Sequence, residues 1–422
     1  MNKEVHQYVS EDRLRSDITT NAEYGKVPVE QGHCRTVLTG SEANGDAREY
    51  FVDRLKRAGL DVRVDAVGNI VGRWVPDGVD PTTPAVATGS HLDSVPKGGI
   101  FDGVLGVYGA LEAVRAIQQT DIDLQRPINV VCFTEEEGAR FSDGVLGSSV
   151  ASGQYAVEDA LSLEDCDGVT LDEALTDIGF RGDGRLDASR WDSWLELHVE
   201  QSQRLEDAGV HVGIVTSITG TIRCRVEING EANHSGCTAM ADRNDALAAA
   251  SELVLEVESA TQDIVDANGE TAVGTVGTLD VGPNAINVVP GTVELGIDIR
   301  DVTYDLMESI VDDVRSCLYR LETERGVTTT FERPYDIEPV VMDNHCITTL
   351  HDAASRVGLS ALELHSGAGH DTMHIANSTD VGMVFAPSYE GISHSPLEWT
   401  DWTSCTAATK IIAEGLAELA TE

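Results

Sequence analysis

Three short apolar runs, Ala85–Thr88, Ile128–Phe133 and Trp194–Leu197, constrain the fold most. Each is too short for a buried helix and has almost none of the alternation of a half-exposed strand, so each predicts a strand buried on both faces. Segments of helical spacing lie between them, including about 107–119, and residues 11–60 are largely helical in spacing before a hairpin over 61–75 around Gly68-Asn69. Buried strands alternating with helices predict a mixed, mainly parallel α/β sheet sandwiched by helices. Between about Gly213 and Glu338 the pattern changes. Alternating strands over 222–228, 272–279, 292–299 and 327–332 and helices over 244–258 and 304–321 follow the order strand-helix-strand-strand-helix-strand, the split βαβ or ferredoxin-like α+β unit. The expected organisation is therefore a first domain over 1–212, an inserted unit over 213–338, and a return to the first domain over 339–422.

Charge narrows the partners. The 422 residues carry 72 Asp plus Glu against 29 Lys plus Arg, a formal net charge of −43. Phosphate binding needs clustered cations, so nucleic acid is excluded as a partner. Only five of the basic residues are lysines and the acidic ones are scattered, which suits a salt-rich cytoplasm where ions screen self-repulsion. No stretch reaches the roughly 18 apolar residues of a membrane span. The N-terminal MNKEVHQYVSEDRLRSDI lacks a basic start followed by an apolar run, so a cytoplasmic location is expected. Eight cysteines without a CxxC pair read as reduced thiols.

The chemistry-bearing segments are Gly89-Ser-His-Leu-Asp93, Gly98-Gly-Ile-Phe-Asp102-Gly, Phe133-Thr-Glu-Glu-Glu-Gly138, Glu196-Leu-His198 and Gly391-Ile-Ser-His394-Ser-Pro. Most place a histidine or carboxylate at or just past the end of an apolar run. In a parallel sheet those ends line one crevice. Imidazoles and carboxylates converging there are the donor set a pair of divalent ions requires. Gly98 to Gly106 lacks the Gly-Lys-Ser/Thr ending of a phosphate loop, which argues against a nucleotide site.

The string GSHLDSVPKGGIFDGVLGV, followed by FTEEEGARF, ELHVEQSQRLE, EANHSGCTAMADRNDAL, NAINVVPGTVELGIDIRD, SGAGHDTM and GISHSP, resembles the hydantoinase/carbamoylase branch of the M20 metallopeptidases over nearly the whole chain. The resemblance implies a di-zinc peptidase-like domain, an inserted lid that helps form a homodimer, and two divalent ions per subunit. His91 and His198 would bind one ion, Glu137 and His394 the other, and Asp102 would bridge them. Histidine at 198, where many peptidases of the family have an acidic residue, favours Zn²⁺, Mn²⁺, Co²⁺ or Ni²⁺ over Mg²⁺ or Ca²⁺. The resemblance makes Glu136 the general base and Asp93 the residue that orients the His91 ring.

For the substrate, it implies that Arg300 clamps a carboxylate, that Gln201, His234 and Asn287 hydrogen-bond the substrate and its developing oxyanion, and that Gly369 lies in a loop receiving the carboxylate through N–H groups. The implied reaction is hydrolysis of the carbamoyl C–N bond of an N-carbamoyl-L-amino acid, allantoate or N-carbamoyl-β-alanine. The alternative is an aminoacylase or dipeptidase, against which His198 and Glu200-Gln201 speak. A non-catalytic binding protein on the same scaffold would have lost ligands or base, and none is lost. The chain departs from the branch pattern around His234, with Ser-Gly-Cys-Thr-Ala-Met, and after Gln201, with Ser-Gln. Both departures lie on the substrate side.

Overall fold

The computed structural model describes residues 4–422; the first three residues of the N-terminal stretch read above lie outside this range. The chain divides into two compact units, one ending at Thr216 and resuming over Met342–Glu422, the other Ser217–Val341.

The first unit is built on a sheet whose strands run in the order Asp61–Val64, Ile70–Trp74, Ile128–Phe133, Ala85–His91, Trp191–Val199, Asp380–Ala386 and Gly213–Ile218, with Leu362–Ser366 also paired to Gly213–Ile218. The centre is parallel: Ala85–His91 pairs in parallel with Ile128–Phe133 and with Trp191–Val199, which pairs in parallel with Asp380–Ala386. The apolar runs are the central strands, and Ala85–His91 and Ile128–Phe133 are buried at every residue, as continuous apolar character requires. Gly213–Ile218, assigned on sequence to the inserted unit, pairs antiparallel with Asp380–Ala386 in this sheet.

The helix read over 107–119 spans Val104–Ile117 and is buried at every position except Arg115. It packs on Ala85–His91 and on the C-terminal helix Trp402–Thr421. Each fully buried Val, Leu or Ile contributes roughly 1.5–3 kcal/mol, so this helix is a rigid floor for the loop that precedes it. Residues 11–60 form two helices, Glu11–Asn21 and Glu42–Arg57, separated by an extended loop.

The second unit is a four-stranded antiparallel sheet in the order Thr328–Ile337, Gly220–Asn229, Thr292–Asp301, Val273–Gly282. Helices Ala246–Asn268 and Tyr304–Arg325 bury Ile222, Cys224, Val226, Ile297 and Ile299 in one core. The chain order is strand-helix-strand-strand-helix-strand.

Candidate metal centre

Parallel pairing brings the donor residues to one edge of the first unit's sheet. His91 ends its strand directly beside Phe133, and Glu135, Glu136 and Glu137 follow just past that strand's end. The neighbouring strand pairs Gly89 with Glu196, so His198 lies beside His91, with ring centroids 5.8 Å apart. Asp102 sits in the turn before helix Val104–Ile117, and His394 in the loop after Asp380–Ala386.

Asp102 is central. Its Oδ1 lies 3.4 Å from His91 Nε2 and 3.2 Å from His198 Nε2, and its Oδ2 lies 3.3 Å from His394 Nε2. Glu137 Oε2 is 3.1 Å from the same His394 nitrogen. Two donor groups result, His91–Asp102–His198 and Asp102–Glu137–His394, each with ligand atoms within 4.8 Å of one another.

Several observations fit a cation in each group. Donor atoms about 2.1 Å from one tetrahedral ion sit roughly 3.4 Å apart, close to the spacings seen here. His91 Nδ1 is hydrogen-bonded to the Asp93 carbonyl oxygen at 3.1 Å and His198 Nδ1 to the Val199 carbonyl oxygen at 3.0 Å. Both Nε2 atoms are buried without a hydrogen-bond partner and face Asp102. Fixing the proton on Nδ1 leaves the Nε2 lone pair for a metal.

The electrostatics agree. Burial opposes charge on His91, but Glu136, Asp102 and Asp93 override it and raise its pKa well above the ordinary value. Hydrogen bonds to Asp102 and Glu137 raise His394 to about 11. Burial would raise Asp102, yet the close approach of the His198, His394 and His91 rings holds it well below the usual range. A group of carboxylates that draws positive charge onto three imidazoles is one a divalent cation satisfies.

Glu136 is not in either group of three. Its Oε2 lies 3.4 Å from His91 Nε2. Burial raises its pKa well above the ordinary value; His91 opposes this, and Asp371, Glu137 and Asp102 reinforce it. Glu135, with φ of 57°, turns the chain here, and its carboxylate is anchored by the amides of Arg140 and Phe141.

The Asp93 side chain differs from its expected use. The main-chain oxygen holds the His91 ring, whereas the carboxylate is 3.8 Å from Nδ1 and accepts from the Glu137 amide at 3.1 Å. In an extended chain a carbonyl two residues on reaches the ring with less side-chain ordering. Gln201, expected on the substrate, donates to Asp102 Oδ2 at 3.0 Å and to Ser393 Oγ at 3.1 Å. Gly369 is exposed in the loop between Leu362–Ser366 and Thr372–Ile375.

His234, Asn287 and Arg300 lie in the second unit. A two-residue ladder, Asn233–His234 against Val288–Val289, and a bond from the Ser235 amide to the Asn287 carbonyl bring the first two together. His234 Nδ1 accepts from the amides of Gly236 and Cys237 at 3.0 and 3.2 Å, so the neutral ring carries its proton on Nε2 as a donor. Arg300 Nε donates to Asp298 at 2.9 Å, on the same face as Arg223 across the sheet.

Sequence reasoning passed over four residues. Arg35 is fully buried and donates to the carbonyls of Gly99 and Leu92 and to Asn21 Oδ1, tying together the two loops that carry Asp102 and His91. Glu398 accepts from the Phe101 and Asp102 amides. His370 meets the His198 ring at 4.5 Å, and burial holds its pKa well below the ordinary value. Asp371 is fully buried, its carboxyl raised by burial and by Glu196. His370 and Asp371 stood in the quoted string SGAGHDTM, so their position was signalled but not their use.

The sequence model of peptidase family M20/M25/M40 matches residues 87–418. The N-carbamoyl-L-amino-acid amidohydrolase of Paenarthrobacter aurescens is 38% identical over 89% of this chain and 91% of its own length. The allantoate amidohydrolase of Bacillus subtilis is 34% identical over 89% and 90%. Among solved structures, a hydantoinase/carbamoylase family amidase from Burkholderia multivorans superposes with a TM-score of 0.90 at 33% identity, covering 98% of this chain and 99% of that one. Matched over most of its length in sequence and in fold, the chain belongs to peptidase family M20/M25/M40.

Proposed function

We propose that this protein is a metal-dependent amidohydrolase that cleaves the carbamoyl C–N bond of N-carbamoyl-L-amino acids or related ureido acids. The observation that carries the reading is the pair of buried, unpartnered His91 and His198 Nε2 atoms aimed at Asp102, whose other oxygen meets His394. The similarity to an N-carbamoyl-L-amino-acid amidohydrolase and an allantoate amidohydrolase supports the substrate class.

His91, His198 and Asp102 would hold one divalent ion, and Asp102, Glu137 and His394 a second, with Zn²⁺ suiting the imidazole-rich set best and Mn²⁺, Co²⁺ or Ni²⁺ also compatible. Bound there, such ions supply a water acidified toward neutrality and polarise the ureido carbonyl. Glu136 would take a proton from the attacking water and pass it to the leaving nitrogen, and burial raises its carboxyl above the ordinary value, the direction a proton-shuttling group needs. The products are the free amino acid, ammonia and CO₂.

The second unit acts in this proposal as a lid and homodimerisation element. Arg300 binds the substrate carboxylate, His234 Nε2–H and Asn287 meet the developing oxyanion, and the Gly369 loop offers the carboxylate main-chain N–H groups. The acid-rich composition suits a salt-rich cytoplasm.

The test is a panel assay of metal-reconstituted protein in concentrated KCl. Ammonia release from N-carbamoyl-L-amino acids, N-carbamoyl-β-alanine or allantoate is expected. Amine release from N-acetyl amino acids or dipeptides, without ammonia from any ureido acid, would move the protein to the acylase or peptidase branch.

A further inference from the structure

Glu398 donates no atom to either donor group, yet it is fully buried directly behind one of them. Its Oε1 accepts from the Phe101 amide at 2.9 Å and the Asp102 amide at 3.1 Å. The loop is moulded on this carboxylate: a Cβ on Gly99 would lie 2.3 Å from Glu398 Oε1. The Ser393 hydroxyl stands between two carboxylates, 3.1 Å from Glu398 Oε2 and 2.9 Å from Asp102 Oδ2, and also receives Gln201 Nε2 at 3.1 Å. Asp102 is thus held at both ends, its main-chain nitrogen by Glu398 and its Oδ2 by Ser393 and Gln201.

The two donor groups depend on this arrangement unequally. The His91 and His198 rings are buried and anchored through Nδ1 to main-chain carbonyls, independently of Glu398. His394 follows Ser393 in the chain, has φ of 53° and is 51% exposed, so its placement depends on the loop that Ser393 tethers. Oδ2, the oxygen that Ser393 contacts, is the one facing His394.

We infer that Glu398, acting through Ser393, is the positioning residue that fixes Asp102 between the two groups and holds the His394–Glu137 group in place. The inference rests on the metal-centre reading above. Replacing a group that orients a ligand typically lowers metal affinity about 10–100-fold, and here the loss falls on one group of the two.

The experiment titrates metal-free protein with Co²⁺ in concentrated KCl, following the visible spectrum of the bound ion, with circular dichroism as the check on folding. Wild type should take up two equivalents. Glu398→Leu and Ser393→Ala should bind the first equivalent as wild type does and the second at least about tenfold more weakly. Glu398→Gln, which keeps an acceptor for the Phe101 and Asp102 amides, should restore the second equivalent. Two equivalents at wild-type affinity in Ser393→Ala and in folded Glu398→Leu would overturn the inference, as would equal weakening of both equivalents or a Glu398→Gln as impaired as Glu398→Leu. Should Glu398→Leu fail to fold, Ser393→Ala decides. Wild type that binds no metal would overturn the metal-centre reading itself.

Discussion

Gly103→Ala places a single methyl group against the metal centre. Gly103 precedes helix Val104–Ile117 with φ of 65° and ψ of −43°, and a Cβ built there would lie 2.5 Å from Cε1, Nδ1 and Nε2 of His91. Carbon contacts settle at about 3.5–4.0 Å, so the ring or the turn must yield by about 1 Å. Neither moves freely: the ring is hydrogen-bonded to the Asp93 carbonyl, and the turn is seated on a buried helix. A left-handed backbone costs a residue with a Cβ roughly 1–2 kcal/mol, and overpacking adds about 1–3 kcal/mol, for a total of about 2–5 kcal/mol. At about 2 °C per kcal/mol for a large domain, the melting temperature should fall by about 4–10 °C. A donor atom displaced by about 1 Å exceeds the roughly 0.5 Å tolerance of a functional constellation, so bound metal and ammonia release should fall together. Scanning fluorimetry, elemental analysis and the ammonia assay read the three quantities. A variant with wild-type metal content and a melting temperature within about 1 °C of wild type would show that the ring and turn accommodate the methyl group.

Glu136→Gln should keep its metal by elemental analysis while turnover falls about 10²–10⁴-fold; near-normal turnover would remove Glu136 from the base role. Arg300→Ala should raise KM for carboxylate substrates with a smaller change in kcat, and an unchanged KM would place the carboxylate elsewhere. In metal-free protein, His394 is raised to about 11 by Asp102 and Glu137, so its contribution to stability is fully present below its ordinary value near 6.5 and lost as pH rises through about 11. The melting temperature of the metal-free form should accordingly decline from pH 7 to 10. Over the same interval the His394–Glu137 group should bind metal more tightly, by up to about tenfold per pH unit, as the competing proton leaves; a pH-independent affinity would show that His394 is not a ligand.

The sheet was legible because its central strands are buried on both faces and therefore carry uninterrupted apolar character, as Ile128–Phe133 does. Element ends were less legible. The helix read to Glu258 runs to Asn268, because its later turns face solvent on most sides and lose the apolar period. The ladder Asn233–His234 with Val288–Val289 has two residues on each side, too few for any periodicity, yet it brings His234 next to Asn287.

At the site, legibility tracked chemistry. Residues that would touch metal or proton are histidines and carboxylates in the quoted motifs, and it is their joint pattern and the resemblance it carries, more than any one position, that make His91, Asp102, His198, Glu136 and Glu137 stand out. Residues that hold them are ordinary in type and unremarked in position. Arg35 reads as one more surface cation, yet it is wholly buried with its guanidinium on the carbonyls of Leu92 and Gly99. Glu398 reads as one of 72 acidic residues, most of which a charge of −43 assigns to the surface. A buried charge is costly unless it is hydrogen-bonded, and these two are accommodated by main-chain groups of Leu92, Gly99, Phe101 and Asp102 together with the Asn21 and Ser393 side chains. What specifies the metal centre is therefore divided: its donors are written in residue type and spacing, whereas their separation of 3.1 to 3.4 Å depends on long-range contacts, such as Glu398 with Phe101, that join residues 297 positions apart.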